Sequence, residues 1–277
     1  MANVKAVTSR DNPLLVRLRK LAADPAGYRR AGEIWLEGEH LCAAFRQSGG
    51  VPSHAVVTEA AWEEPRWRDL ATGASTVVVV TPALMDALST LESPAPLGFV
   101  VPWTDGAAPE PGVATVVLDR LQDAGNVGTI LRTASAFGVR QVIALKGTAA
   151  LWSPKVLRAG MGAHFRMRLV EGASHDALDA LRMPLVATSS HGATPLPDVQ
   201  LPSPCAWVLG HEGQGLAPTL LQRCTLTVTI PQPGGEESLN VASAAAVCLY
   251  EALRQRREGL PSSAPHASGR RGGSVTG

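Results

Sequence analysis

Asn126-Val127-Gly128 followed by Arg132, Gly210-His211-Glu212 followed by Gly215, and Ile230-Pro231 followed by Gly234 and Ser238-Leu239-Asn240 are the segments that organise this chain. Each follows an apolar run and precedes a helical pattern, so each joins a strand end to a helix start, where backbone groups are free to hold a ligand. The runs concerned are residues 113–118, 206–209 and 226–230, and residues 141–145 and 185–188 have the same character. The 113–118 run is nearly unbroken, of the kind buried on both faces of a parallel sheet, and helices separate the strand candidates, which predicts a parallel α/β sheet.

In the first segment Asn126 is placed to cap a helix whose apolar stripe is Val127, Ile130, Leu131, Ala134 and Phe137, with Gly138 as terminator. Gly128, Arg132 and Ser135 share the flank of that stripe. The guanidinium therefore emerges near a spot where glycine removes bulk and a ligand has room. Read alone, the segment is more readily an ordinary capped helix with a snorkelling arginine.

The second segment, Gly210-His211-Glu212-Gly213-Gln214-Gly215, has the glycine content for positive φ and close approach of backbone to a ligand. It is not a dinucleotide-binding fingerprint, which follows the first strand of a βαβ unit and is joined by a ribose-binding acid. In the third, Pro231-Gln232-Pro233-Gly234-Gly235-Glu236-Glu237 continues neither strand nor helix. Ser238 and Asn240 are both competent to cap the helix that follows. That helix is rich in alanine from Val241 to Cys248, which suits tight packing within the domain or a seam between two copies.

The 277 residues are long for one compact unit. Before the sheet pattern, Ser9-Arg10-Asp11-Asn12-Pro13 suits a cap and first turn, and Leu14, Leu15, Leu18 and Leu21 follow at helical spacing as an amphipathic helix with a basic outer face. Strands at residues 33–36, 54–58 and 76–80 and a helix at 38–47 complete a smaller α/β unit. Residues 103–112 concentrate Pro and Gly without periodicity. The expected organisation is a domain at 1–103, a linker at 104–112, a second domain at 113–258 and, beyond Pro261 where apolar anchors disappear, a disordered tail at 259–277.

Lys+Arg 25 against Asp+Glu 24 does not announce a nucleic-acid binder. Distribution says more, since Arg10, Arg17, Lys20, Arg29 and Arg30 cluster near the start, and Lys155 and Arg158 add cations to the second half. These are candidate phosphate contacts, with a solvated face as the competing reading. Cys42, Cys205, Cys224 and Cys248 lack metal-site spacing and read as thiols in a reducing compartment, with no metal. No signal peptide or membrane span is evident, so a cytoplasmic location is expected.

Together the three segments, N-x-G-x-x-x-R at 126–132, G-x-E-x-x-G at 210–215 and I-P-x-x-G-x-x-x-S-L-N at 230–240, resemble the signature motifs of the SpoU (TrmH) family of RNA ribose 2'-O-methyltransferases in the SPOUT superfamily. The resemblance covers residues 113–257. One departure is Gln232, where the family usually has methionine. The resemblance implies a SPOUT α/β-knot catalytic domain with a C-terminal trefoil knot, preceded by a small ribosomal-protein-like α/β domain that binds substrate. It implies S-adenosyl-L-methionine as cofactor, held chiefly through backbone at Gly210, Ile230 and Leu239, with Thr188 at a neighbouring strand end. It also implies catalytic roles for Arg132, Asn126, Glu212, Ser238 and Asn240, and a homodimer acting on RNA rather than DNA.

Within that frame Asn126 orients Arg132 or the RNA backbone, and Glu212 pairs with the arginine or the substrate. Because arginine stays protonated, stabilising the developing alkoxide or gripping the adjacent phosphate is easier for it than acting as a base. Ribosomal RNA is the favoured substrate and transfer RNA the alternative. Two other readings compete. A Rossmann-type nucleotide enzyme lacks its fingerprint here, and a catalytically inactive RNA-binding relative is disfavoured by the intact Asn126, Arg132, Glu212, Ser238 and Asn240.

Overall fold

A computed structural model describes residues 3–189, 194–235 and 238–258; the tail expected to be disordered lies outside the described residues. The chain begins with β1 (Asn3–Val7), α1 (Pro13–Ala23), α2 (Gly27–Ala31), β2 (Glu33–Glu37), α3 (Glu39–Gln47) and β3 (His54–Thr58). It continues through α4 (Glu59–Glu63), α5 (Pro65–Ala71), β4 (Thr76–Val80), α6 (Pro82–Asp86) and β5 (Leu97–Pro102). The strands form one sheet in the order β1-β4-β3-β5-β2, with β5 antiparallel to both its neighbours and the remaining pairs parallel. Helix α1 starts where the sequence requires: Asn12 Oδ1 accepts from the Leu14 amide at 3.0 Å and proline fills the first turn. Leu15, Leu18 and Leu21 are buried on the sheet.

Two strands of this sheet are absent from the sequence reading. β1 is an exposed edge strand, so its side chains carry no inside-outside alternation. β5 is buried, but Pro94 and Pro96 stand just before it and interrupt the pattern.

The second half contains β6 (Thr115–Leu118), α7 (Ala124–Ala136), β7 (Gln141–Leu145), α8 (Pro154–Gly160), β8 (Arg168–Ala173) and β9 (Leu185–Thr188). It ends with β10 (Thr194–Pro195), β11 (Ala206–Leu209), α9 (Pro218–Leu221), β12 (Leu226–Thr229) and α10 (Val241–Glu258). Its sheet is wholly parallel, as expected, in the order β10-β12-β9-β11-β6-β7-β8. One face is covered by α7, α8 and α10 through Val127, Ile130, Leu131, Val156, Ala245 and Cys248, and the other is packed by Leu178, Leu181 and Leu220. Helix α10 comes back onto α7: Tyr250 lies 6.0 Å from Phe137, and Arg256 donates to the Phe137 carbonyl at 3.1 Å. Because the strands are parallel, the C-terminal ends of β6, β9, β11 and β12 open on the same sheet edge, where α/β sheets hold their ligands.

The two sheets are joined by a polar latch. The Glu171 carboxylate accepts from the Tyr28 hydroxyl at 2.7 Å, from Arg29 at 2.9 Å and from the Leu151 amide at 2.8 Å. Beside it, Leu157 of α8 packs into the core of the first sheet. The 104–112 segment is not a free tether. Glu110 N–H donates to Gln141 Oε1 at 2.8 Å, Arg168 pairs with Glu110 at 3.1 Å, and Gly112 N–H donates to the Leu181 carbonyl at 3.0 Å.

Candidate active site

Three loops meet at that sheet edge. The loop after β11 turns back immediately: His211 and Gly215 exchange backbone hydrogen bonds at 3.1 and 2.8 Å, with Gly215 at φ 65°. The His211 ring closes it from within, its Nδ1 accepting from the Gly213 and Gln214 amides at 3.0 and 3.2 Å. This shape requires glycine at 210, since a Cβ there would lie 2.5 Å from Gly215 C and Leu216 N. With no Ser or Cys beside it for a triad, His211 is expected from sequence to be structural or RNA-adjacent, and its amide contacts make it structural.

The three motifs are tied by one chain of side-chain hydrogen bonds. Asn240 Nδ2 donates to Asn126 Oδ1 at 3.0 Å, and Asn126 Nδ2 donates to Glu212 Oε1 at 3.3 Å. The Asp123 amide also reaches Glu212 Oε1, at 3.4 Å. Partial burial pushes the Glu212 pKa up, but hydrogen bonds from its own amide, Asn126, Asp123 and Gln122 outweigh this and leave it below the ordinary glutamate value. Asn240 uses its Oδ1 to cap α10, accepting from Ala242 and Ser243 at 2.9 and 3.2 Å. Between the two competent caps, Asn240 holds the position.

Three expectations for the first motif change. The cap of α7 is Asp123, whose carboxylate accepts from the Asn126 amide at 2.7 Å, so Asn126 lies inside the first turn with its side chain free for Glu212 and Asn240. That amide, helped by Lys155 and opposed by burial, holds the Asp123 pKa below the ordinary aspartate value. The partner of Glu212 is Asn126 and not Arg132. The space beside Gly128 is filled by protein: a Cβ there would lie 2.5 Å from Ala159 Cβ and 2.6 Å from the Val156 carbonyl of α8. Glycine at this position lets two helices touch and leaves no ligand space.

A cavity of about 270 Å³ opens among these loops, and Thr188, Gly210, Ile230 and Leu239, the four expected cofactor positions, all line it. Glu212, Ser238 and Asn240 line it as well. Its walls mix aliphatic side chains with backbone, and Gln232 Oε1 at its rim is buried with no partner among the described residues. An adenosyl group with a methionine tail fits such a lining: the apolar part faces aliphatic carbon, and its amino groups supply donors for an orphaned acceptor. Arg132 is exposed on α7, does not line the cavity, and has no ion-pair partner among the described residues.

Among the expected RNA contacts, Arg10 and Lys20 are exposed without an ion pair among the described residues. Arg17 pairs with Glu33 at 2.8 Å, Arg30 with Asp24 and Lys155 with Asp123 at 3.5 Å, while Arg158 donates to Thr90 at 3.3 Å. Arg29 pairs with Glu171 at 2.9 Å in the latch between the sheets, its side chain still 45% exposed. The cysteines are free thiols, with Cys42, Cys205 and Cys248 buried and Cys224 partly so. Burial raises the pKa of each, and no metal-binding cluster exists among the described residues.

Comparison with known proteins agrees with this geometry. Residues 114–250 match the SpoU rRNA Methylase family. An uncharacterised tRNA/rRNA methyltransferase of Synechocystis is 34% identical over 92% of this chain and 96% of its own. The 23S rRNA (guanosine(2553)-2'-O)-methyltransferase RlmP of Bacillus subtilis is 31% identical over 78% of this chain and 86% of its own. An AdoMet-bound rRNA methyltransferase from Sinorhizobium meliloti superposes with a TM-score of 0.80 at 26% identity, covering 93% of this chain and 99% of the other. From the motifs, the hydrogen-bonded junction between them and these full-length likenesses, the chain belongs to the SpoU family of RNA methylases.

Proposed function

We propose that this protein is an S-adenosylmethionine-dependent methyltransferase that modifies the 2'-hydroxyl of a nucleotide in ribosomal RNA. The observation that carries the reading is the Asn240–Asn126–Glu212 chain, which joins all three motifs beside a cavity lined by Thr188, Gly210, Ile230 and Leu239. Bound there, S-adenosylmethionine supplies an electrophilic methyl group on its sulfonium. Backbone around Gly210, Ile230 and Leu239 holds it, and Ser238 and Asn240 shape the side facing the ribose. Arg132 carries a positive charge not spent on any acid among the described residues, which suits it to steady the reacting oxygen or the neighbouring phosphate. Ribosomal RNA is favoured because relatives that align at 31–37% identity, RlmP and RlmB, are named 23S rRNA enzymes.

The finer organisation follows the same reading. The first sheet, as a ribosomal-protein-like domain ending near residue 103, binds RNA through Arg10, Lys20 and neighbouring cations. The catalytic unit, 113–258, closes as a trefoil knot; the return of α10 across α7, the first helix of its sheet, supports that threading. A homodimer is supported by the exposed Val247 and Tyr250 on α10, beside an apolar groove that includes Leu196 and Pro231. No helix among the described residues is long and apolar enough to cross a membrane.

The test is incubation with methyl-labelled S-adenosylmethionine and total RNA from cells lacking the gene, followed by digestion to nucleosides and fractionation of the RNA. Label should appear as 2'-O-methylribose in the ribosomal fraction. Arg132→Ala should lower kcat by about 100-fold, as loss of one charge-stabilising donor does. Label in the bases, or full turnover by Arg132→Ala at saturating RNA, would overturn the assignment; label confined to transfer RNA would replace only the substrate.

A further inference from the structure

Directly after β6, on the outer side of the 210–217 loop, lies a carboxylate-guanidinium pair that none of the motifs includes. Asp119 is fully buried. Arg120 grips it in a two-pronged contact, Nε to Oδ1 and Nη2 to Oδ2, both at 3.1 Å. Asp119 Oδ2 also accepts from the Ala217 amide at 3.0 Å, and His175 Nε2 stands 4.0 Å from Oδ1. From this anchor Arg120 reaches the loop: Nη1 donates to Gln214 Oε1 at 3.3 Å and Nη2 to the Gly215 carbonyl at 3.4 Å.

The backbone of Arg120 is itself held in an unusual state. Its φ is 58°, in the left-handed region that residues other than glycine seldom occupy. Its amide donates to Thr148 Oγ1 at 3.1 Å, and that hydroxyl donates to the Leu118 carbonyl at 2.9 Å. Such a conformation persists where surrounding contacts over-determine it, and it aims the guanidinium at the loop. The same loop presents Gly210, Glu212, Gly215 and Leu216 to the cavity. Without the pair, the loop keeps its internal bonds around His211, the Glu212 contacts with Asn126 and the Asp123 amide, and the packing of Leu216 and Ala217, but loses the charged brace on Gln214, Gly215 and Ala217.

We propose that Asp119 and Arg120 are positioning residues that hold the 210–217 loop in its cofactor-binding shape. The proposal rests on S-adenosylmethionine occupying the cavity. The pair acts through the loop and touches neither cofactor nor ribose. Its loss therefore weakens cofactor affinity and leaves methyl transfer from the saturated complex intact.

The test is calorimetric titration of the full chain with S-adenosylmethionine for wild type, Asp119→Asn, Arg120→Ala and Arg120→Lys, beside steady-state kinetics. Arg120→Ala and Asp119→Asn should raise Kd about tenfold, equivalent to roughly 1.4 kcal/mol. Arg120→Lys should fall between them and wild type, because an ammonium can meet Asp119 but cannot fork to Gln214 and Gly215 as well. The KM for S-adenosylmethionine should rise in parallel, with kcat and the KM for RNA changed by no more than about twofold. If Arg120→Ala does not fold, the intermediate Kd of Arg120→Lys carries the test. An unchanged Kd in folded variants, with or without a lower Tm, would overturn the proposal, as would a fall in kcat at unchanged Kd. Wild type that fails to bind would overturn the cofactor assignment along with it.

Discussion

Replacing Gly128 by alanine sets two opposed effects against each other, and the structure decides which wins. Alanine in a helix interior is favoured over glycine by about 0.5–1 kcal/mol. Against that, the new Cβ would stand 2.5 Å from Ala159 Cβ, 2.6 Å from the Val156 carbonyl oxygen and 3.0 Å from the Gly160 nitrogen, where ordinary contact begins at 3.4 Å. Two of those atoms are backbone of α8 and the third is a methyl with no rotamer to change, so α7 and α8 must part by roughly an ångström. With two of the three clashes on backbone the overpacking falls in the upper part of its usual range, about 2–3 kcal/mol, which leaves a net loss of about 1–2.5 kcal/mol. Thermal unfolding followed by circular dichroism should register a drop in Tm of roughly 3–6 °C. The double variant Gly128→Ala, Ala159→Gly should show a favourable coupling of about 0.5–1 kcal/mol, since one contact is relieved while the Val156 carbonyl stays. A Gly128→Ala protein as stable as wild type but unable to turn over would refute the packing argument and return the space beside Gly128 to a ligand.

Gly210→Ala should weaken S-adenosylmethionine binding by more than about tenfold, roughly 1.4 kcal/mol, because its Cβ would collide with the backbone at Gly215 and Leu216; calorimetry that finds native affinity would contradict the tight-turn requirement. Glu171→Gln should lower unfolding stability by about 2 kcal/mol, since a neutral amide replaces the charged acceptor shared by Tyr28, Arg29 and Leu151. An unaltered denaturation midpoint would show that the latch contributes little. His164 is buried, with Nε2 against the Leu151 carbonyl at 2.8 Å, and burial lowers its pKa to about 4 from 6.5. Between those values the unfolded chain binds a proton that the folded one refuses, so stability is full above 6.5 and falls as pH drops toward 4, by about 3 kcal/mol in all. His164→Asn should flatten that limb of the Tm–pH curve, and an equally steep limb would assign the acid sensitivity elsewhere.

The parts of this site that the sequence discloses are those where a local constraint fixes a residue type. Gly210 is legible because the chain must turn directly after β11, and β6, β7 and β11 are legible because strands buried along their whole length are almost entirely apolar. What stays hidden depends on partners distant along the chain. Asp123 and Asn126 are both able to cap α7, and the choice between them is settled by Glu212, 86 residues beyond Asn126, and by Asn240, 114 residues beyond it. Those side chains occupy Asn126, so the cap falls to Asp123. Arg29 looks like a free cation until Glu171, 142 residues on, takes it. Gly128 reads as ligand space for the same reason, since nothing in its own helix announces that α8 will lie across it.

Asp119 and Arg120 are the extreme case. Neither belongs to a motif, and an aspartate and an arginine side by side at a strand end look like solvated charges. Only when β11 enters the sheet beside β6 does the 210–217 loop arrive over them, and the pair then acquires its partners Gln214, Gly215 and Ala217. In a sheet whose spatial order departs from chain order, the residues that receive the ligand keep a local signature, because backbone shape selects them. The residues that brace them from behind have none, because a contact that does not yet exist in the sequence selects them.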